Sequence, residues 1–264
     1  MDALDLINLR YDAVHGGFVD DLFSGLSDEQ VRQRPGGVNS IAWLVWHLAR
    51  VQDAAVSRFV DDRPQALEEG RWNQAMRLDR RDVGSGMTSK EVDALSAAID
   101  ITALRGYHRA VAERTRLIAT SLSPGAWNEV VPAERIHQVV AAEGLLIDAG
   151  RWVEEFWARQ HSRAWYLLQV GLLHPYGHCF DAMVTRGLLG RPSTDVADAA
   201  ISSRAAGESR PERAELDDGR VGQPAHGGVY QHELRRRVDV DRLTAKPEQG
   251  EHALIAGEDP RLVP

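Results

Sequence analysis

Through the first 190 positions, apolar residues recur at the three- and four-residue steps of an α-helix. No alternating pattern long enough for a strand appears. Residues 4–26 carry Leu6, Leu9, Val14, Phe18 and Leu22, which predicts a first long helix. Ser27-Asp28-Glu29-Gln30 reads as a capping box opening a short helix that Pro35-Gly36-Gly37 ends. Asn39 or Ser40 then caps a second long helix from Ile41 to about Val60, with Ile41, Leu44, Leu48, Val51 and Ala55 on one face and Asp61-Asp62-Arg63-Pro64 as its stop. Residues 65–99 are polar and broken by glycines, with one short helix predicted after Thr88…Glu91. A third long helix spans Asp100 to Leu122 on Leu104, Tyr107, Val111, Ile118 and Leu122. An irregular connector over 123–160 holds a helical segment near 136–148. The last long helix runs from about Ser162 to Leu189 and stops at Gly190 and Pro192. Four long helices with two sizeable connectors predict an all-α four-helix bundle, a scaffold whose interior can hold a metal between facing side chains.

Composition divides the 264 residues. All seven tryptophans and all five phenylalanines precede residue 190, whereas 191–264 holds one aromatic, Tyr230. Val, Ile and Leu make up roughly one in six of that stretch, too few to build a core. The expected organisation is a bundle over 1–190 and a largely disordered tail over 191–264, in which Arg235-Arg236-Arg237 reads as a solvated charge cluster. The net charge of −8 argues against a nucleic-acid surface, and no apolar run is long enough for a membrane span. An acidic N-terminus without an apolar stretch argues against a secretory leader, so the cytoplasm is the expected location. The single cysteine, Cys179, excludes an intramolecular disulfide and any cysteine-based zinc cluster.

The candidate chemistry lies in His174-Pro175-Tyr176-Gly177-His178. An i, i+4 spacing sets both imidazoles on one helical face, a turn apart, where they can share an ion. Pro175 removes a backbone hydrogen bond and predicts a kink beside them. His47 sits among Leu44, Leu48 and Val51 and points inward. Alone it reads as a hydrogen-bonded core histidine; with the pair it supplies a third ligand. Three neutral imidazoles around a divalent ion leave its charge uncancelled and a position open, the pattern of a catalytic rather than a structural site. Asp181, three residues after His178, either orients that imidazole or is a solvated surface group. Cys179 is expected to pack and Tyr176 to anchor in the core, while Trp43 and Trp46 flank His47. His15, His108, His137 and His161 have no partner at ligand spacing and read as surface or structural.

The segments around His47 (Asn39 to Asp53) and around the histidine pair (Leu173 to Gly190, closing on Arg186-Gly187-Leu188-Leu189-Gly190) resemble the two metal motifs of the DinB-like superfamily, in the family's order and over residues 1–190. The resemblance implies an up-down-down-up bundle that binds zinc, nickel or iron through His47, His174 and His178. It further implies a thiol-dependent S-transferase or isomerase joining a low-molecular-weight thiol, such as mycothiol, to an electrophile, and a homodimer. Arg50, at i+3 from His47, becomes a candidate for an anionic group of the thiol cofactor. A reading of a different class is a non-catalytic metal- or ligand-binding bundle of a stress response.

Overall fold

The computed structural model describes residues 3–189, which are helical apart from turns, loops and one isolated antiparallel bridge between Val130 and Ser162. The expected tail, its arginine triplet and the Gly190–Pro192 stop lie outside the described residues. Among the described residues no helix is long and apolar enough to cross a membrane.

The local signals act where the sequence puts them. Ser27 and Gln30 close a capping box on Asp28–Arg32, and Thr88 and Glu91 close another on Ser89–Ala98. Ser40 rather than Asn39 caps Ile41–Gln52, its Oγ accepting from the Trp43 amide at 2.9 Å. Asp100 caps Ile101–Ser121 in the same way, accepting from Ala103. Gly144, with φ of 60°, ends Ala133–Glu143 in the left-handed conformation. Two short helices in the first connector, Ala66–Glu69 and Trp72–Met76, carry no periodicity readable from sequence.

The first, second and fourth long helices (3–23, 41–60 and 163–189) each contain a π-helical stretch, at Ala13–Phe18, Asp53–Val60 and Gln169–Leu173. In the first helix the buried positions are Tyr11, Val14, His15, Val19, Leu22 and Phe23. Leu6 and Leu9, assigned to the inner stripe by periodicity, stand on the outer face at 50% and 57% exposure. The inward line passes through Tyr11 and His15 instead, side chains that a hydrophobic count passes over.

Contacts between the long helices fix their directions. Between the first and third, Tyr11 donates to Ala112 O, His15 meets His108 and Asp20 meets Arg105 and Arg109, so residue numbers run opposite. Between the first and fourth, His15 meets Gly171, Phe18 meets Tyr176 and Arg186 donates to Leu22 O, so numbers rise together. The second opposes the fourth, with His47 beside His174 and Asn39 O beside Thr185. It parallels the third, with Arg50 beside Tyr107 and Gln52 beside Thr115. The bundle is therefore up-down-down-up. Parallel second and third helices force the chain back along roughly 30 Å of bundle, which is the task of residues 61–100.

Both connectors cover the second helix. One apolar cluster, around Val14, Leu22, Trp46 and Leu104, packs on its first half; another, around Phe59, Ile136, Trp157 and Tyr166, packs on its second. Every residue of Ile41–Gln52 is buried, not just the face that spacing predicts. A helix enclosed this way must satisfy its polar side chains from within the protein. Gln52 donates to Tyr11 at 2.6 Å and Thr115 at 2.9 Å. Asp53 accepts from the Ala66 and Leu67 amides, Ser57 and Tyr107, and so holds the start of Ala66–Glu69.

His15 and His108 form a buried pair, His15 Nδ1 lying 3.1 Å from His108 Nε2. Burial lowers the His15 pKa to about 4 and holds His108 well below the ordinary histidine range, the latter helped by the His15 and Arg109 charges. The unfolded chain protonates both near pH 6.5, so in the window below that the unfolded state binds more protons. The stability this neutral pair contributes is complete above pH 6.5 and is lost as pH falls toward about 4. Urea denaturation at stepped pH is expected to show stability falling by roughly 3 kcal/mol from His15 alone across that window, with His15→Phe flattening the slope.

Candidate metal centre

His47 projects from the fully buried second helix, and His174 and His178 from the first turn and a quarter of His174–Leu189. One ligand atom from each of the three lies within 4.8 Å of the others. Ring centroids are 5.2 Å apart for His47 and His174, 4.9 Å for His47 and His178, and 4.4 Å for His174 and His178. The antiparallel crossing of the second and fourth helices thus brings together residues more than 120 positions apart. His47 is almost wholly enclosed, whereas the His178 side chain keeps 15% of its exposure, so the cluster reaches the surface on the fourth-helix side.

The surroundings settle which nitrogens are available. His47 Nδ1 lies 2.5 Å from Val83 O, and a carbonyl only accepts, so Nδ1 carries the proton and Nε2 presents its lone pair. His178 Nδ1 lies 3.1 Å from Asp181 Oδ2, which orients the ring the same way. Of the two sequence readings of Asp181, orienting acceptor or solvated surface group, the contact fits the first, although the carboxylate also stays largely exposed. Trp43 lies parallel to the His47 ring at 4.8 Å and holds its plane, with its own Nε1 on Met87 Sδ at 3.3 Å. Trp46 is buried beneath.

These side chains fit a divalent cation. His178 Nε2 and His174 Nε2 face each other at 3.0 Å, and two ring nitrogens at that distance share at most one proton. A divalent cation between them would use both lone pairs at once. His174 Nδ1 is buried without a hydrogen-bond partner. Burial, with the neighbouring His178 charge, lowers the His47 pKa to about 3; burial, with His178 and His47, holds His174 well below its ordinary range. Both rings are neutral at physiological pH. Among the described residues, the carboxylate in contact with these rings is Asp181, at an outer nitrogen, so the described donor set carries no counter-charge of its own.

Arg50 has a different task from the cofactor contact expected of it. Its side chain is fully enclosed and donates to Gln65 at 2.6 Å, Tyr107 at 3.1 Å and the Arg81 carbonyl, with Asp53 at 3.8 Å. One helical turn of offset from His47 turns the guanidinium toward the connector, where it ties the 65 and 81 segments to the bundle. Cys179 is buried, which pushes its thiol up to about 12 and leaves it a small core residue. Tyr176 is half-buried with its ring edge against Phe18. His137 meets Glu154 at 2.7 Å, and His161 stacks on Trp165.

The Val83 carbonyl is the functional group that sequence reading missed. A carbonyl has no residue-type signature, but Gly84 and Gly86 beside it, both at φ of 85°, mark a tight loop. A side chain at Gly84 would sit 2.5 Å from the Trp46 ring.

A family model described as the DinB superfamily matches residues 19–154, and the chain belongs to that superfamily. A crystal structure of a conserved protein from Enterococcus faecalis shares the fold, with a TM-score of 0.55 and 17% identity over 72% of this chain and 98% of that one. No curated protein matches the sequence.

The Arg50 network predicts a structural phenotype. Arg50→Ala leaves Asp53 buried without its cation and is expected to lower stability to urea at pH 7 by roughly 3–5 kcal/mol. A loss below about 1 kcal/mol would return Arg50 to the pool of residues free to serve a ligand.

Proposed function

We propose that the protein binds a divalent metal, zinc first among the choices and nickel or iron next, through His47, His174 and His178, and uses it in a thiol-dependent S-transfer to an electrophilic substrate. The observation that carries this reading is the convergence of three neutral imidazoles within 4.8 Å, two of them with their outer nitrogens engaged by Val83 O and Asp181. When bound, such an ion lowers the pKa of a coordinated thiol and presents sulfur as a nucleophile at neutral pH.

The chain's own residues do the rest. Val83 O and Asp181 keep the protons of His47 and His178 on the outer nitrogens. Trp43 excludes water from one face of His47. With no carboxylate among the ligand atoms, the site favours an anionic incoming group, which supports a thiolate. The choice of a low-molecular-weight thiol such as mycothiol rests on the resemblance to DinB-like transferases; the placing of the reaction in the cytoplasm, where such thiols stay reduced, rests on the sequence expectation alone.

Purified protein is expected to hold close to one equivalent of metal by elemental analysis, and His178→Ala to weaken binding more than about 100-fold with unchanged far-UV helicity. A variant that retains stoichiometric metal removes His178 from the ligand set. Metal-loaded protein is expected to speed consumption of mycothiol, bacillithiol or glutathione by monochlorobimane. Metal uptake with no turnover of any of the three leaves a metal-binding bundle and discards the transferase.

A further inference from the structure

Pro175 has no N–H, so the carbonyl four residues back, Gly171, receives no α-helical hydrogen bond. That carbonyl lies inside the bundle, where an unpaired acceptor costs about 1–3 kcal/mol. It accepts instead from His15 Nε2 at 2.8 Å, a contact across 156 residues. Because Gly171 O only accepts, His15 Nε2 carries the ring proton and its Nδ1 is an acceptor. The neighbour at 3.1 Å, His108 Nε2, must then donate. Tyr11 packs on the His15 ring at 4.2 Å, and its hydroxyl is tied to Ala112 O. The relay from His108 through His15 to Gly171 has one polarity throughout.

Gly171 is central in the π-helical stretch Gln169–Leu173, and that stretch hands over directly to His174, whose amide donates to Gln169 O five residues back. One residue more or less in this turn rotates all that follows by roughly 100°, enough to carry both ligand imidazoles off the line to His47.

We propose that His15, buttressed by His108, is a positioning residue for the metal centre: by taking the carbonyl that Pro175 deprives of its α-helical donor, it holds the π-helical register that aims His174 and His178 at His47. His15 touches none of the three ligands and acts through the backbone of the fourth helix. The metal reading underlies only the affinity half of this inference; the register half concerns the metal-free chain.

Three variants separate the possibilities. His15→Phe keeps the volume and removes both hydrogen bonds. His15→Gln keeps an amide N–H for Gly171 O. Val139→Ala opens the second apolar cluster, remote from the relay, and controls for lost stability. Zinc affinity by chelator competition is expected to fall about 10- to 100-fold in His15→Phe, as for residues that orient metal ligands, to recover largely in His15→Gln, and to hold in Val139→Ala. The visible absorption of the cobalt-loaded protein is expected to change in His15→Phe alone. In metal-free protein, histidine-ring NMR is expected to show an Nε2-protonated neutral His15, with His174 and His178 signals shifted by His15→Phe and not by Val139→Ala. Wild-type affinity in His15→Phe, equal loss in Val139→Ala, or unshifted His174 and His178 rings would each overturn the proposal. A wild-type protein that takes up no metal, yet shows the ring shifts, defeats the metal reading and leaves the register role standing.

Discussion

The structure depends on a helix that has no solvent face. Ile41–Gln52 is buried all round, yet it carries His47, Arg50 and Gln52 and runs into Asp53 and Ser57. Polar groups in such a place need partners inside the protein or they cost more than the burial around them returns. Gln52 reaches the first and third helices, while Asp53, Arg50 and His47 reach the connector at 66–67, at 65 and 81, and at 83, and Ser57 donates to Asp53 within the helix. The polar residues of one helix thus assign places to both long neighbours and to the loop between them.

The candidate metal centre comes from the same requirement. A connector carbonyl satisfies the outer nitrogen of His47, and this leaves the inner nitrogen facing the fourth helix with a lone pair and no proton. The fourth helix answers with two imidazoles one turn apart, at the point where a proline has disturbed its hydrogen bonding. The disturbance is contained on one side by a π-helical turn and on the other by a histidine of the first helix. Neutral ligands, an outer carboxylate and a flat indole wall make a site that would hold a cation without cancelling its charge.

Much of this could be read along the chain. The caps at Ser27, Ser40 and Thr88 act locally, through hydrogen bonds spanning three residues, and for that reason sequence locates them within one position. The facing of His174 and His178 is likewise a matter of helical pitch. Less legible was the inner line of the first helix, where Tyr11 and His15 go in and Leu6 and Leu9 stay out. Periodicity counts hydrophobic residues and does not see a polar ring that finds a partner across the bundle. Arg50 misled for the same reason: three residues from a ligand, it looked available, and only its contacts with Gln65, Tyr107 and Arg81 remove it from the site.

By itself the sequence determined the helices, their ends, the donor chemistry and the pairing of two imidazoles, because each follows from interactions within a turn or two of chain. Tertiary structure decided the rest: how the His47 ring, already picked out in the sequence, lies against the pair, that Val83 and Asp181 engage the outer nitrogens, that Arg50 is an internal tie and that His15 reaches the backbone of the fourth helix. Those contacts join residues tens to more than a hundred positions apart (Asp181 alone excepted), and their energies depend on burial and on helix direction. Neither quantity exists until the second helix has been enclosed.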